Sequence, residues 1–265
     1  MPGISQSKGG RGHLSFPKGG HKTYSTITRL SGRGLNDYQA SILDAFIFGV
    51  KMLRCSELLT CDKYVQINDV SLELYREFGE TVLMKRRFHY FFEDNTDIIV
   101  EFQEYGIRHM LGIHHIDSSV SKNNFFNEIK DGLSFDSFKI TTSMSQRFKK
   151  MKPRIRLFSC TYNTLRCGRV FYCPNREVIN SNNTKMDYII YREIDTKGFN
   201  IGIRFEDGVQ VPLTILVDGE SRKEEHIDPS KIKIVKQLLI TDIETNNIIE
   251  NILYSNSFIT SNGIK

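Results

Sequence analysis

The stretch EIDTKGFNIGIRFEDGVQVPLTIL, residues 193–216, decides the fold. Its runs are rich in β-branched and aromatic residues, and turn signals separate them at Thr196-Lys197-Gly198 and at Asp207-Gly208. Turns of this kind join neighbouring antiparallel strands. The stretch therefore predicts an antiparallel meander.

Further β-prone runs lie on both sides of this meander. They are RIRLFSC (154–160), RVFYC (169–173), DYIIYREI (187–194) and IKIVKQLLITD (232–242). Earlier in the chain, two such runs surround the polar turn Glu93-Asp94-Asn95-Thr96. They predict a hairpin formed by residues 87–92 and 97–102.

Residues at helical spacing mark four segments that precede most of the β-prone runs. They are 36–59, 105–117, 125–133 and 137–151. The last helix is expected to stop at Lys152, because Pro153 disfavours helical geometry in the residue before it. The expected fold class is α+β, with helices packed on a mostly antiparallel C-terminal β-sheet.

Charge and glycine content divide the chain. Residues 1–36 carry six Lys or Arg, no acid and 8 of the 19 glycines, whereas the formal net charge of the whole chain is +5. We expect a flexible basic tail at 1–36, a helical N-terminal region at 37–84, an α+β domain at 85–242 and a C-terminal tail at 243–265. The basic tail is a nucleic-acid-binding arm, a targeting or fusion remnant, an extension ahead of a start such as Met52, or a segment without a specific role.

Composition and motifs exclude several classes of protein. No apolar run approaches the 18 or so residues that span a bilayer, and no apolar segment follows the N-terminal basic residues, which argues against membrane insertion and Sec-type export. The five cysteines include no C-x-x-C pair and are interpreted as reduced thiols in a cytosol, with Cys160, Cys167 and Cys173 on strands as small hydrophobes. Motifs typical of NTPases, dinucleotide enzymes, zincins and α/β-hydrolases are absent.

No metal or cofactor is expected. The closest metal-like cluster contains His109, His114, His115 and Asp117. On one continuous helix, residues at i+5 or i+6 from His109 lie poorly placed to share its face.

The region from Lys139 to Arg176 contains ten Lys or Arg and no Asp or Glu. Such a run predicts a surface that attracts phosphate. The residues expected to bind nucleic acid are Arg147, Lys149, Lys150, Lys152, Arg154 and Arg156.

The order of several motifs carries a resemblance to a known family. These are HYFFEDNTDIIVEF (89–102), IRHMLGIHHID (107–117), KNNFFNEIKDG (122–132) and DYIIYREID (187–195), followed by VQVPLTILVDG (209–219). Over about residues 85–242, the chain resembles the phage-associated barnase/EndoU/colicin E5-D/RelE-like nuclease domains, most closely the fourth such family. The resemblance implies helices packed on a four-stranded antiparallel sheet, in modules of prophages and mobile elements that are regarded as ribonuclease toxins.

The resemblance also assigns candidate site residues. The family's H-L-L-G-type motif matches His109-Met110-Leu111-Gly112, and its P-x-[ST] pattern matches Pro212-Leu213-Thr214. The Lys-rich segment near the end of the family falls on Lys231 and Lys233.

RNA cleavage through the 2′-hydroxyl needs proton transfer and a cation for the phosphoryl charge. We assign proton transfer to His109, the phosphoryl cation to Arg204 with Arg222 or Lys231, and a hydroxyl donor to Thr214. The alternation of the strand predicts Ile203 and Phe205 on the core side, which leaves Arg204 free for a cleft. Each of these residues also has an ordinary structural explanation, and Tyr188 and Tyr191 either stack a base or pack.

Three functional hypotheses remain. The first is a metal-independent endoribonuclease of toxin or effector type, cytoplasmic or delivered into a target cell, with RNA as substrate and a cognate antitoxin or immunity protein as candidate partner. The second is a catalytically inert nucleic-acid-binding or phage-packaging module, and the third is a protein-protein adaptor. The first two differ in whether His109 and a cation of the sheet converge in one cleft.

Overall fold

The computed structural model describes residues 52–173, 185–219 and 227–254. The predicted basic tail and most of the predicted helix at 36–59 lie outside these residues. The helices are α1 (Cys55–Leu58), α2 (Leu72–Thr81), α3 (Glu104–Met110), α4 (Ile113–Ile116), α5 (Phe125–Lys130), α6 (Thr142–Phe158) and α7 (Thr161–Cys167). The strands are β1 (Arg86–Phe92), β2 (Asp97–Glu101), β3 (Arg169–Tyr172), β4 (Tyr188–Ile194), β5 (Lys197–Glu206), β6 (Val209–Asp218), β7 (Ile232–Lys233), β8 (Val235–Asp242) and β9 (Ile248–Leu253).

All nine strands belong to one sheet, in the order β7-β3-β4-β5-β6-β2-β1-β8-β9. Every pairing is antiparallel except that of β2 with β6, which meet at Val100 and Gln210. The β5–β6 turn has positive φ at Asp207 and Gly208, as the tightest hairpin turns require. The α+β class and the meander are confirmed, and the family's four expected strands are extended to nine.

The sheet curls, because one segment pairs on two sides. β7 and β8 are separated by a single residue, Ile234, yet β7 pairs with β3 whereas β8 pairs with β1. Strands β1 and β3 therefore both pair with the segment 232–242, one on each side of Ile234. β9 pairs with β8, so the sheet continues past residue 242 into the predicted C-terminal tail.

The N-terminal region shares its core with the rest of the protein. Leu58, Tyr75 and Phe78 are fully buried in the same cluster as the helices and the inner sheet face. The Tyr75 hydroxyl donates a 2.6 Å hydrogen bond to the carbonyl of Ile155, which links α2 to α6. Burial of apolar area against α6 stabilises both segments.

The predicted end of the helix before Pro153 is wrong. α6 continues through Pro153 to Phe158, and the separate turn Asp136–Lys139 precedes it. Proline removes one helical hydrogen bond, but Ile155, Leu157 and Phe158 are fully buried, and the packing of these side chains outweighs that loss.

The predicted strand RIRLFSC is therefore helix, because its apolar residues pack against α2 rather than in a sheet. Cys160 lies between α6 and α7, and Cys167 ends α7, so neither is on a strand. The sulfur atoms of Cys160 and Cys61 are 3.6 Å apart in the core. Among the described helices, none has the length and apolar character needed to cross a membrane.

A glycine at the junction of α3 and α4 is predicted to be required. Gly112 has a φ of +72°, and a Cβ there would lie 2.6 Å from the sulfur of Met151 on α6. We expect Gly112→Ala to lower the free energy of unfolding by about 1–3 kcal/mol, since it strains the backbone and displaces Met151. Urea unfolding measures the effect. Gly219→Ala, which meets no atom within 4 Å, is the control, and an equal loss in both variants contradicts the explanation.

Candidate functional site

Three histidine rings cluster at the junction of α3 and α4. The rings of His109 and His114 are 3.8 Å apart between centroids and 27° from parallel, and His114 and His115 are also 3.8 Å apart. The expectation for His109 and a partner at i+5 assumed one continuous helix, but α3 ends before Gly112, which has a left-handed conformation, so the two histidines belong to different helices. In the described ranges, no three His, Cys, Asp or Glu side chains form a group that could hold a metal ion.

Burial keeps these imidazoles neutral at pH 7. It lowers the pKa of His109 to about 4, opposed by a hydrogen bond to the backbone of Leu213 on β6, and lowers the pKa of His114 to about 3. The positive charges of Arg108 and Arg154 add to both shifts. Within the part of the chain that the structure describes, the buried Nδ1 of His109 has no hydrogen-bond partner. A neutral ring with a free nitrogen can accept a proton.

The lowered pKa of His109 predicts a pH dependence of stability. Because an unfolded histidine has a pKa of about 6.5, the unfolded chain binds more protons than the folded chain as the pH falls toward 4. The contribution is fully present above about pH 6.5, and we expect it to decrease between pH 6.5 and 4. Urea unfolding at pH 7 and pH 5 measures this, and the loss on acidification should be smaller in His109→Asn. Equal losses in both proteins contradict the expectation.

A cationic cleft adjoins the histidines. It has a volume of about 390 Å³ and lies between α6 and the hairpin of β5 and β6. Lys150 and Arg154, one helical turn apart on α6, and Lys197 on β5 line it with Asp218 on β6. The aliphatic part of the Arg154 side chain lies next to Gly112. A Cβ on that glycine would be 3.7 Å from Cδ of Arg154. Arg154 therefore belongs to both the cleft and the histidine cluster.

The Arg154 guanidinium has no ion-pair or hydrogen-bond partner among residues 52–173, 185–219 and 227–254. Burial lowers its pKa, and among the described residues no acidic side chain raises it. A shielded charge without a counter-ion is costly, so the position favours an anionic ligand.

Arg204 does not join this cleft. It pairs with Glu206, whose carboxylate also accepts a hydrogen bond from the Tyr105 hydroxyl one turn before His109 on α3. The prediction that Phe205 packs on the core is wrong, because its side chain is 49% exposed. Phe205 lies one residue before the end of β5, next to the turn at Asp207-Gly208, where the core no longer covers its side chain.

Thr214 and Lys231 occupy different surroundings. Thr214 is 2% exposed and faces Gly202 on β5, where its methyl group packs closely. Lys231 is exposed in the turn before β7, and β3, β4 and β5 lie between β7 and β6 in the sheet order. The four predicted catalytic residues are thus spread over the domain, and Arg222 lies outside the described residues.

The predicted nucleic-acid-binding residues divide over two sides of α6. Lys150 and Arg154 line the cleft, and exposed Arg147 attracts Asp117 beside the histidines. On the other side, Arg156 donates a hydrogen bond to the Val65 carbonyl and lies 3.6 Å from the ring centroid of Tyr64. These two contacts hold Arg156 against the segment that precedes α2.

Two more cations of this side of the helix have different environments. Lys152 lies 5.5 Å from the ring centroid of Phe148, and Lys149 is exposed.

In the described part of the basic region, residues 139–173, two cations have acidic partners. Lys139 pairs with Asp136, and Arg166 pairs with Glu250 from β9. The region lacks acids in sequence, but acids from elsewhere in the chain neutralise part of it. Tyr191 is 2% exposed and packs in the sheet, whereas half-buried Tyr188 stacks on Phe92.

The sequence does not predict Lys197 as a cleft residue, and it does not predict that the ring of His114 stacks on that of His109. Lys197 was interpreted as part of a turn, although β5 begins there. The one signal for the histidine cluster was Gly112, which interrupts the helical pattern between the histidines.

One protein family model matches more than half of the chain, and it describes a phage-associated nuclease class. The matching family model is described as phage-Barnase-EndoU-ColicinE5/D-RelE like nuclease4 and covers residues 75–257. The chain belongs to this family, which confirms the resemblance. No curated protein and no solved structure gives a significant match to the chain.

Proposed function

We propose that the protein is a metal-independent endoribonuclease whose active site contains His109 and Arg154. The observation that carries this proposal is the position of a shielded, neutral imidazole beside a guanidinium that has no described counter-ion. Membership of a nuclease family supports a nucleic-acid substrate.

In this mechanism, His109 removes the proton of the 2′-hydroxyl, and the 2′-oxygen attacks phosphorus. The bond from phosphorus to the 5′-oxygen breaks, which leaves a 2′,3′-cyclic phosphate and a 5′-hydroxyl. Arg154 stabilises the additional negative charge on the phosphoryl oxygens. Water at the rim of the site donates the proton to the leaving 5′-oxygen, because burial and the charge of Arg154 lower the pKa of His115 and leave that ring neutral.

Binding of the phosphate supports proton transfer by His109. An anion near a buried imidazole raises its pKa, because it stabilises the protonated ring. The ring that is neutral in the free protein then becomes a stronger base in the complex. Substrate binding thus prepares His109 for its role.

We propose Arg204, Thr214 and Lys231 as secondary contributors. Arg204 reaches a phosphate only after Glu206 releases it, and Thr214 needs a local opening of the sheet because it is buried. Lys231 is exposed, so its side chain can contact a part of a long RNA that lies away from the scissile bond.

We further propose a toxin or effector role in the cytoplasm of a bacterial or target cell, with a cognate antitoxin or immunity protein as partner. The phage association of the family supports this role. The alternative is an inert nucleic-acid-binding or packaging module, and the cations of the cleft alone would suffice for it.

Cleavage of RNA in the presence of EDTA tests the proposal. We expect products that end in 2′,3′-cyclic phosphate, and no cleavage of the same sequence as DNA or as 2′-O-methyl RNA. A requirement for a divalent metal, or cleavage of DNA, contradicts the mechanism. RNA binding without cleavage supports the inert module.

A further inference from the structure

The cleft beside the histidines is larger than the scissile phosphate requires, and its lining is mixed. Cationic side chains lie on both walls, with Lys150 on α6 and Lys197 on β5. Met151, Pro153 and Leu216 contribute apolar surface. A volume of about 390 Å³ is within the range of pockets that hold small organic ligands.

The charge of the cleft favours an anion. Three cations, Lys150, Arg154 and Lys197, face one carboxylate, Asp218. In the described part of the chain, neither Lys150 nor Lys197 forms an ion pair, and the Lys197 ammonium lies 5.5 Å from the ring centroid of Tyr64. The carboxylate of Asp218 receives a 2.9 Å hydrogen bond from the buried side chain of Asn200, which fixes it at one end of the cleft.

An anionic group that also carries an apolar body fits this lining. A nucleotide has both parts, since its phosphate is attracted by lysine and arginine while its base and ribose pack on apolar walls. A small inorganic anion leaves the apolar walls uncovered.

We propose that the cleft binds the nucleotide of the RNA next to the scissile bond, and that Lys150 and Lys197 hold the phosphate of that nucleotide. The inference rests on the proposed function, because Arg154 is the residue that joins the cleft to the histidines. Under this proposal, the substrate is a single-stranded RNA segment with at least two phosphates. One phosphate lies at His109, and the other lies between Lys150 and Lys197. The lysines increase affinity for that segment and take no part in proton transfer.

Binding of a labelled single-stranded 2′-O-methyl RNA hexamer to the full chain tests this subsite. The probe has no 2′-hydroxyl, so the measurement does not depend on cleavage. We expect the double variant Lys150→Gln with Lys197→Gln to bind more weakly. Its slope of log affinity against log salt should decrease in magnitude by about 1.4, since each phosphate contact in a single strand contributes about 0.7.

The control is Lys63→Gln with Lys236→Gln, which removes two charges from exposed lysines outside the cleft. An unchanged slope in the cleft variant, or an equal decrease in the control, overturns the subsite. Should the unmutated protein bind the hexamer but fail to cleave RNA, the endoribonuclease proposal fails and a decreased slope still supports the subsite.

Kinetics separate binding from a structural defect. In cleavage of a longer RNA, we expect the cleft variant to raise KM with little change in kcat, because the lysines bind ground state and transition state alike. For a dinucleoside monophosphate, which has only the scissile phosphate, kcat/KM should be unchanged. A loss of kcat on both substrates overturns the assignment.

Discussion

Replacement of His109 by alanine lowers the rate of RNA cleavage by about 10²–10⁴-fold, as expected for loss of a group that transfers a proton in the transition state. The residue lies beside Arg154 and hydrogen-bonds the backbone of β6 at Leu213, so it is held in place by the scaffold. Initial rates on a labelled RNA in EDTA measure the effect. Affinity for the uncleavable 2′-O-methyl hexamer should remain nearly unchanged.

The thermal stability of His109→Ala is the necessary control. A folded variant that cleaves RNA at the rate of the unmutated protein contradicts the role of His109. Loss of the fold in this variant indicates instead that the hydrogen bond to Leu213 is structural. In that case His109→Asn distinguishes the two roles, because asparagine keeps a hydrogen-bonding side chain but cannot act as the base. We expect this variant to fold and not to cleave RNA.

Replacement of Phe158 by alanine has the second large expected effect, a loss of about 3–5 kcal/mol in the free energy of unfolding. Phe158 is fully buried at the end of α6, and its ring packs edge-on against Tyr75 at 4.8 Å between centroids. Removal leaves a cavity between α6 and α2. Denaturant unfolding monitored by circular dichroism measures the loss.

Phe205→Ala is the matched control for this prediction. The same side chain is removed, but from a position that is 49% exposed on β5. We expect a change below about 1 kcal/mol there, since little buried area is lost. A small effect at Phe158 would show that α6 does not depend on its packing against α2, and that the extension of the helix past Pro153 has another cause.

The sheet was predictable because its signals are local. The turn at Asp207-Gly208 and the β-branched runs on each side determine the β5–β6 hairpin without help from the rest of the chain. The hairpin of β1 and β2 follows from the same kind of signal. These predictions depend on neighbours within about ten residues.

The wrong predictions concern features that depend on contacts between residues far apart in the sequence. Nothing near Pro153 shows that Tyr75 hydrogen-bonds the Ile155 carbonyl and that the helix continues. Likewise, the pairing of Arg166 with Glu250 joins residues far apart in sequence. Local periodicity contains no information about such partners, so the charge of a segment was a poor guide to its surface.

The candidate site was predictable only in part. His109 and Arg154 follow from the motif and the basic run, but their proximity depends on the break between α3 and α4 at Gly112 and on the packing of Met151 against that glycine. Lys197 comes from the sheet and meets α6 only in the folded protein. Within the described residues, the cation of the sheet that lines the cleft beside Arg154 is Lys197, whereas Arg204 pairs with Glu206.

The pairing of β7 with β3 and of β8 with β1 has a consequence for protein synthesis. Residues 232–242 leave the ribosome after all of β1 to β6, and until then β1 and β3 each lack one strand neighbour. A nascent chain therefore exposes open sheet edges, which are prone to pair with other chains. The sheet closes only after residues 232–242 have been made, so a ribosome that stalls before Ile232 releases a fragment that lacks the closing strands.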